Sequence, residues 1–182
     1  MERANREGVV IRSLSRHDYN KPELFQAYIN GLISDVDAMV SFATKKTIEE
    51  EKAWLKNAIS LVESSKAAIF IAETEDLIVG EAAIGLCSDR RKHVAELGIS
   101  VIKDYRKRGI GTCLMQKILS CAGEKLVPAP KAARLSVFGA NSIAIAFYER
   151  YGFRVVASIP GQFEFKGELI DEVIMLKELR RR

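Results

Sequence analysis

The sequence predicts an α/β fold, one mixed sheet of seven strands with four helices packed on it. Apolar or alternating runs of strand length recur along the chain, and longer stretches with helical spacing and helix caps fall between them. With 182 residues, 48% apolar and 29% charged, the chain can bury about 70% of the surface its unfolded form exposes. Residues 1–182 therefore read as a single domain that needs no metal or disulfide staple.

Taken in order, Val9-Val10-Ile11-Arg12 is the first strand, and a polar turn follows through Ser15, Arg16, His17 and Asp18. A helix starts after Pro22, with Leu24, Tyr28, Leu32 and Val36 at helical intervals. Thr47 caps a second helix, Glu50 completes a capping box, and Ala53, Trp54, Leu55, Ile59 and Leu61-Val62 lie along it. Residues 67–72 and 77–86 are buried strands joined by the acidic turn Glu73-Thr74-Glu75-Asp76, a hairpin pattern. In the strand over 93–102, Ala95, Leu97, Ile99 and Val101 face one way and Glu96, Gly98 and Ser100 the other. A long helix runs from 109 to 126 and ends at Val127-Pro128-Ala129-Pro130, because proline cannot continue it. Residues 133–138 are a strand, and Asn141 opens a helix through Ile145, Phe147 and Tyr148 that stops at Gly152. Residues 153–156 and 169–175 close the chain as two strands, separated by a loop around Pro160-Gly161.

No apolar run approaches the ~18 residues of a membrane span, and the charged start through Glu7 lacks a signal-peptide core. A cytoplasmic protein without a membrane partner is expected. Cys87, Cys113 and Cys121 are too irregularly spaced for a disulfide framework or a metal knot, so no metal is expected. The net charge of +4 comes from short clusters diluted by carboxylates: Arg90-Arg91-Lys92, Arg106-Lys107-Arg108 and a solvated tail at Arg180-Arg181-Arg182. Interleaved exposed aromatics are lacking, so a nucleic-acid module ranks lowest.

The segment Tyr105-Arg106-Lys107-Arg108-Gly109-Ile110-Gly111-Thr112 lies between a strand and the long helix. A helix N-terminus leaves amides unpaired and carries roughly half a positive charge, so the turn can cradle an anion. The dinucleotide fingerprint fails because Leu114 stands where a third glycine is needed, and the Gly-Lys-Ser/Thr ending of a phosphate loop is absent. On spacing alone, an anion cradle and an ordinary basic turn both remain open.

A second segment supplies what the first lacks. Val101, Tyr105, Arg106, Gly109, Ile110, Gly111 and Leu114, followed by Leu135-Ser136-Val137, Asn141, Ala144, Phe147-Tyr148-Glu149-Arg150 and Tyr151-Gly152-Phe153, resemble the two signature segments of the GNAT acetyltransferase superfamily. The resemblance spans roughly residues 67–158 and implies a mostly antiparallel sheet and acetyl-CoA as co-substrate. By that resemblance the turn formed by Arg106, Lys107, Arg108, Gly109, Ile110, Gly111 and Thr112 would hold the pyrophosphate. Ile99 and Val101 would pair their backbone with the pantetheine arm in a gap between the fourth and fifth strands. Asn141 would add a side-chain hydrogen bond, although an N-cap role serves it equally. Tyr148 would protonate the departing thiolate, against the alternative of a core aromatic. A homodimer is common in the family.

An alkylamine with pKa near 10.4 is about a thousandth neutral at pH 7.4, so acetyl transfer to a primary amine needs a route for its proton. Glu96, on the polar face of its strand, is the candidate base, with a water chain or an ion-paired surface carboxylate as the alternatives. His93 is a weaker substitute. Asp35 and Asp37 either attract a cationic acceptor or end the first helix in solvent. The first two helices and the loop before the last strand are expected to contact the acceptor: a polyamine, an amino acid or a peptide amino terminus. A catalytically silent acyl-CoA-binding sensor is the competing function.

Overall fold

A computed structural model describes residues 2–3 and 8–179. The rest of the charged start and the tail at residues 180–182 lie outside the described residues. Seven strands form the sheet: β2 (Val10–Ser13), β3 (Ala67–Glu73), β4 (Ile78–Leu86), β5 (Val94–Val101), β6 (Ala132–Phe138), β7 (Arg154–Phe165) and β8 (Glu168–Glu178). A two-residue strand, β1 (Glu2–Arg3), extends one edge, giving the order β1-β2-β3-β4-β5-β6-β8-β7. Every neighbouring pair is antiparallel except β5 and β6, which are parallel.

Four α-helices cover the two faces. α3 (Ile110–Lys125) and α4 (Ser142–Arg150) pack on one through Leu114, Met115, Ile118 and Tyr148, against Ala95, Leu97, Leu135 and Val137. α1 (Pro22–Ser34) and α2 (Ile48–Glu63) pack on the other through Phe25, Tyr28, Leu32, Leu55 and Ile59, against Ile69, Ile71 and Ile78. The fully buried stripe of α1 is Phe25, Tyr28 and Leu32, with Leu24 half-buried at its margin. The helix stops at Ser34 and leaves Val36 70% exposed, so the helical spacing of Val36 is incidental. The α2 capping box is formed in full: Thr47 N–H donates to Glu50 at 2.8 Å and Glu50 N–H to Thr47 at 3.2 Å.

The polar turn after β2 is a 3-10 helix (Arg16–Asn20) holding Asp18 at 2% exposure. Asp18 accepts from Arg12 at 2.7 Å and from Ser15 N–H at 2.8 Å, while Glu73 takes the other side of the same guanidinium at 2.6 Å. This triad ties the turn to β2 and β3, and each member is satisfied by another.

The chain around Pro160-Gly161 is strand rather than loop. β7 runs unbroken to Phe165, and its pairing with β8 slips between Ile159 and Phe163 to absorb a bulge, with Gly161 at φ +61°. β7 is an edge strand, so the N–H that proline lacks is not missed. The turn falls instead at Lys166-Gly167, with φ +53° and +79°, as a tight hairpin requires.

Candidate active site

The β5–β6 junction opens the sheet. Only Val94–Ala132, Ala95–Ala133 and Glu96–Arg134 pair, after which the strands part and no β6 residue faces Leu97 to Val101. Hydrogen bonds show which backbone groups this exposes. Cys87 N–H donates to Val94 C=O and Ile102 N–H to Val79 C=O, so even-numbered β5 residues bond to β4. Lys131 N–H donates to His93 C=O at 2.7 Å, so odd-numbered residues point toward β6. Leu97, Ile99 and Val101 therefore turn their peptide groups into the gap, where an extended chain can pair with them, except for the Val101 carbonyl, which Arg106 already occupies.

The basic turn closes the wide end of that gap. Gly109, at φ +83°, is the N-cap of α3, and the first helical bond runs from Cys113 N–H to Gly109 C=O. The amides of Ile110, Gly111 and Thr112 stay outside the helical ladder, as an anion site requires. Lys107 is also left-handed, at φ +61°. The Arg106 side chain turns away from the cradle: it donates to Val101 C=O at 2.9 Å and to Asp35 at 3.1 Å, fastening the turn to β5 and to the end of α1. Arg108 lies over the Tyr105 ring, 5.0 Å from its centroid.

α4 lines the opposite side. Asn141 is its N-cap, accepting from Ala144 N–H at 3.0 Å, which leaves its amide N–H groups for another partner. The Phe147 ring lies 3.8 Å from where a Cβ on Gly111 would stand. Tyr148 is 7% exposed, and burial pushes its hydroxyl up to about 12. That hydroxyl has no hydrogen-bond partner among the described residues, yet no enclosed side-chain oxygen there goes unsatisfied, so it reaches solvent. Glu96 is exposed at the vertex of the gap, in the last β5–β6 pair, and shares the sheet face of Ser100. His93 stands just before β5, and its carbonyl serves β6.

The face toward α1 and α2 holds a feature that pattern reading missed. A cavity of about 320 Å³ lies between these helices and β4, walled by Phe25, Trp54 and Phe42 and bearing Glu51 and Glu81. Glu81 pairs across the sheet with Ser100, and Tyr28, beside it, shares a hydrogen bond of 2.7 Å with the Ser100 hydroxyl. Burial, with Glu51 nearby, lifts the Glu81 carboxyl to about 7. The signal was there: a carboxylate inside the apolar run 77–86.

Asp35 and Asp37 do not face the cavity as free charges. Asp35 holds Arg106, and Asp37 holds Lys103 at 3.2 Å and Lys166 at 3.0 Å, so the α1–α2 segment, the basic turn and the β7–β8 hairpin tip are tied together. Lys166 and Lys103 hold the Asp37 carboxyl below the ordinary range. Among the described residues, no helix is long and apolar enough to cross a membrane.

The comparisons with known proteins agree with this geometry. An Acetyltransferase (GNAT) domain profile matches residues 65–155. The chain is 31% identical over 88 residues to the L-amino acid N-acetyltransferase AaaT of Escherichia coli, a match covering 48% of this chain and 53% of that protein. It thus spans about half the length of that relative. The acetyltransferase of GNAT family from Streptococcus pneumoniae superposes with TM-score 0.80 at 22% identity, covering 94% of this chain and 99% of that one. The structure of yncA from Salmonella typhimurium with its cofactor acetyl-CoA gives 0.75 at 16%, covering 97% and 96%. With the profile matching half the chain, across the open β5–β6 junction and the cradle beside it, this protein belongs to the GNAT acetyltransferase family.

Proposed function

We propose that this protein transfers the acetyl group of acetyl-CoA to a primary amine. The observation that carries the reading is the parted β5–β6 junction, with the Ile99 and Val101 peptide groups turned into it and helix-end amides at its mouth, beside a helix, α4, whose Tyr148 hydroxyl has no protein partner among the described residues and reaches solvent. The residues fit the co-substrate: amides from Lys107 to Thr112 for the pyrophosphate, that of Arg106 being taken by the Lys103 carbonyl, Ile99 and Val101 for the pantetheine amides, and Asn141 for a further hydrogen bond.

Acetyl-CoA supplies an activated thioester. In the ternary complex the amine nitrogen attacks the carbonyl carbon, the C–S bond breaks as the C–N bond is completed, and the amine proton leaves by way of Glu96, directly or through water. Tyr148 gives its proton to the departing sulfur. A phenol near 12 is a weak donor to a simple thiolate of pKa about 8.5, an uphill step of roughly 5 kcal/mol if both were judged alone. The burial that raises the phenol raises the basicity of a thiolate formed beside it in the same way, so the gap narrows in the complex.

The test is amine-dependent thiol release from acetyl-CoA across spermidine, amino acids, aminoglycosides and short peptides. Turnover with any of them supports the enzyme. Tight acetyl-CoA binding without thiol release from any amine points instead to the silent sensor.

A further inference from the structure

We infer that the cavity between α1, α2 and β4 is a distal cation site, so that the acceptor is an amine carrying a second positive charge roughly 10 Å from the nitrogen that is acetylated, a diamine or polyamine. This rests on the acetyltransferase reading above for the reacting nitrogen, and on separate observations for the distant one. Glu51 is a carboxylate at 7% exposure with no hydrogen-bond or ion-pair partner among the described residues, and it lines the cavity. Glu81 lines the same cavity from the sheet side, and its carboxylate likewise has no hydrogen-bond or ion-pair partner among the described residues. Two carboxyls that face one opening without a hydrogen-bond partner give up charge by taking a proton, as the raised Glu81 does, unless a cation sits between them and keeps both ionised. The contrast with Asp18, buried as deeply and satisfied by Arg12 and Ser15, shows that this chain pairs its buried acids where they are structural.

The walls agree with the charge. Phe25 and Trp54, their centroids 5.9 Å apart, line it with aromatic rings, a surrounding that suits an ammonium group. Glu50 also lies at the cavity, but its carboxylate is committed to the Thr47 cap, with Lys46 at 3.9 Å. Lys46 lies at the cavity too, and its charge is set against three carboxylates.

Position separates the two acceptor nitrogens. Glu81 pairs with Ser100, four residues along β5 from Glu96 at the vertex of the gap. Four residues of strand span about 13 Å, which puts the separation of the two nitrogens on the order of 10 Å. Carboxylates that hold a permanent cation need not deprotonate it, which leaves proton removal to the reacting end.

A matched series tests this with the intact protein. Against 1,8-diaminooctane, 8-aminooctan-1-ol and 8-aminooctanoate, kcat/KM is expected to fall at least tenfold at each step, as the distal group goes from cationic to neutral to anionic. Equal values for the diamine and the amino alcohol would overturn the inference while leaving the acetyltransferase reading intact. Glu51→Gln and Glu81→Gln are each expected to shrink the diamine-to-alcohol ratio severalfold through KM, and acetyl-CoA binding measured alongside reports whether each variant folds. If no amine is acetylated, calorimetry with 1,8-diaminooctane still decides: binding weakened at least tenfold in Glu51→Gln supports the cation site, and absent or unchanged binding overturns it.

Discussion

The gap side and the cavity side of the sheet offer a ligand different materials. In the gap the polar groups are mostly main chain: the odd-numbered peptides of β5 and the first amides of α3. In the cavity they are side chains, Glu51 and Glu81, with aromatic walls. A backbone donor is deleted only by proline and is otherwise merely misplaced, whereas a carboxylate is removed by changing one atom. The gap side should therefore tolerate most single changes and the cavity side respond to isosteric ones.

Tyr148 is the exception on the gap side, a side chain among backbone groups, and it carries the largest expected effect. Tyr148→Phe keeps the ring between Phe147 and Phe153 and removes only the unpartnered hydroxyl. General-acid groups contribute about 10²–10⁴-fold, so kcat should drop by at least 100-fold with little change in acetyl-CoA affinity. With a phenol near 12, wild type should show no alkaline loss from this group below about pH 10. Full turnover in the Tyr148→Phe variant would remove Tyr148 from the chemistry and leave the gap wholly backbone in character.

Glu81 provides the matching test on the cavity side. Its carboxyl is raised from 4.5 to about 7, chiefly by burial. A raised acid favours the folded state while protonated, so this contribution is whole below about pH 4.5 and lost as pH rises through 7. The loss is on the order of 3 kcal/mol when no cation is bound beside it. Urea unfolding of wild type and Glu81→Gln at pH 5 and pH 8 should show the variant gaining relative stability at the higher pH. A difference between the two proteins that does not change with pH would mean that Glu81 is solvated or paired.

Next in size is the cradle glycine. Gly109 holds φ +83°, where an L-residue costs about 1–2 kcal/mol, so Gly109→Ala should lower the melting temperature by several degrees and weaken acetyl-CoA binding. Gly111 is the control: a Cβ there meets the Phe147 ring at an ordinary 3.8 Å. Equal losses of stability from both substitutions would contradict a cradle set by backbone conformation.

The same division explains what could be read from the chain. Backbone devices need particular residues at fixed local offsets, so the Thr47–Glu50 box, the Gly109–Gly111 turn and the Asn141 cap were legible in sequence. Side-chain partners brought together by the fold were not: nothing near Asp37 announces Lys103 or Lys166, 66 and 129 residues away. Glu81 stands out locally as a lone carboxylate in an apolar run, but only the packing of α1 and α2 over β4 shows what it faces. Pro160 misled for the opposite reason, since proline breaks an interior strand but is tolerated on the edge that β7 occupies.

The smallest effect joins the two materials. Thr47 caps the helix whose first turn carries Glu50 and Glu51, so a backbone device holds a cavity side chain in place. Thr47→Ala should cost about 1 kcal/mol by freeing the first turn of α2. The Thr47 amide holds the Glu50 carboxyl below the ordinary range, and the lost hydroxyl loosens that arrangement without removing any charge from the cavity. The expected result is a rise of two- to threefold in KM for 1,8-diaminooctane, no change in KM for 8-aminooctan-1-ol, and no change in acetyl-CoA affinity. A larger shift for acetyl-CoA than for the diamine would show that α2 supports the gap rather than the cavity, and the two sides would no longer be separable by mutation.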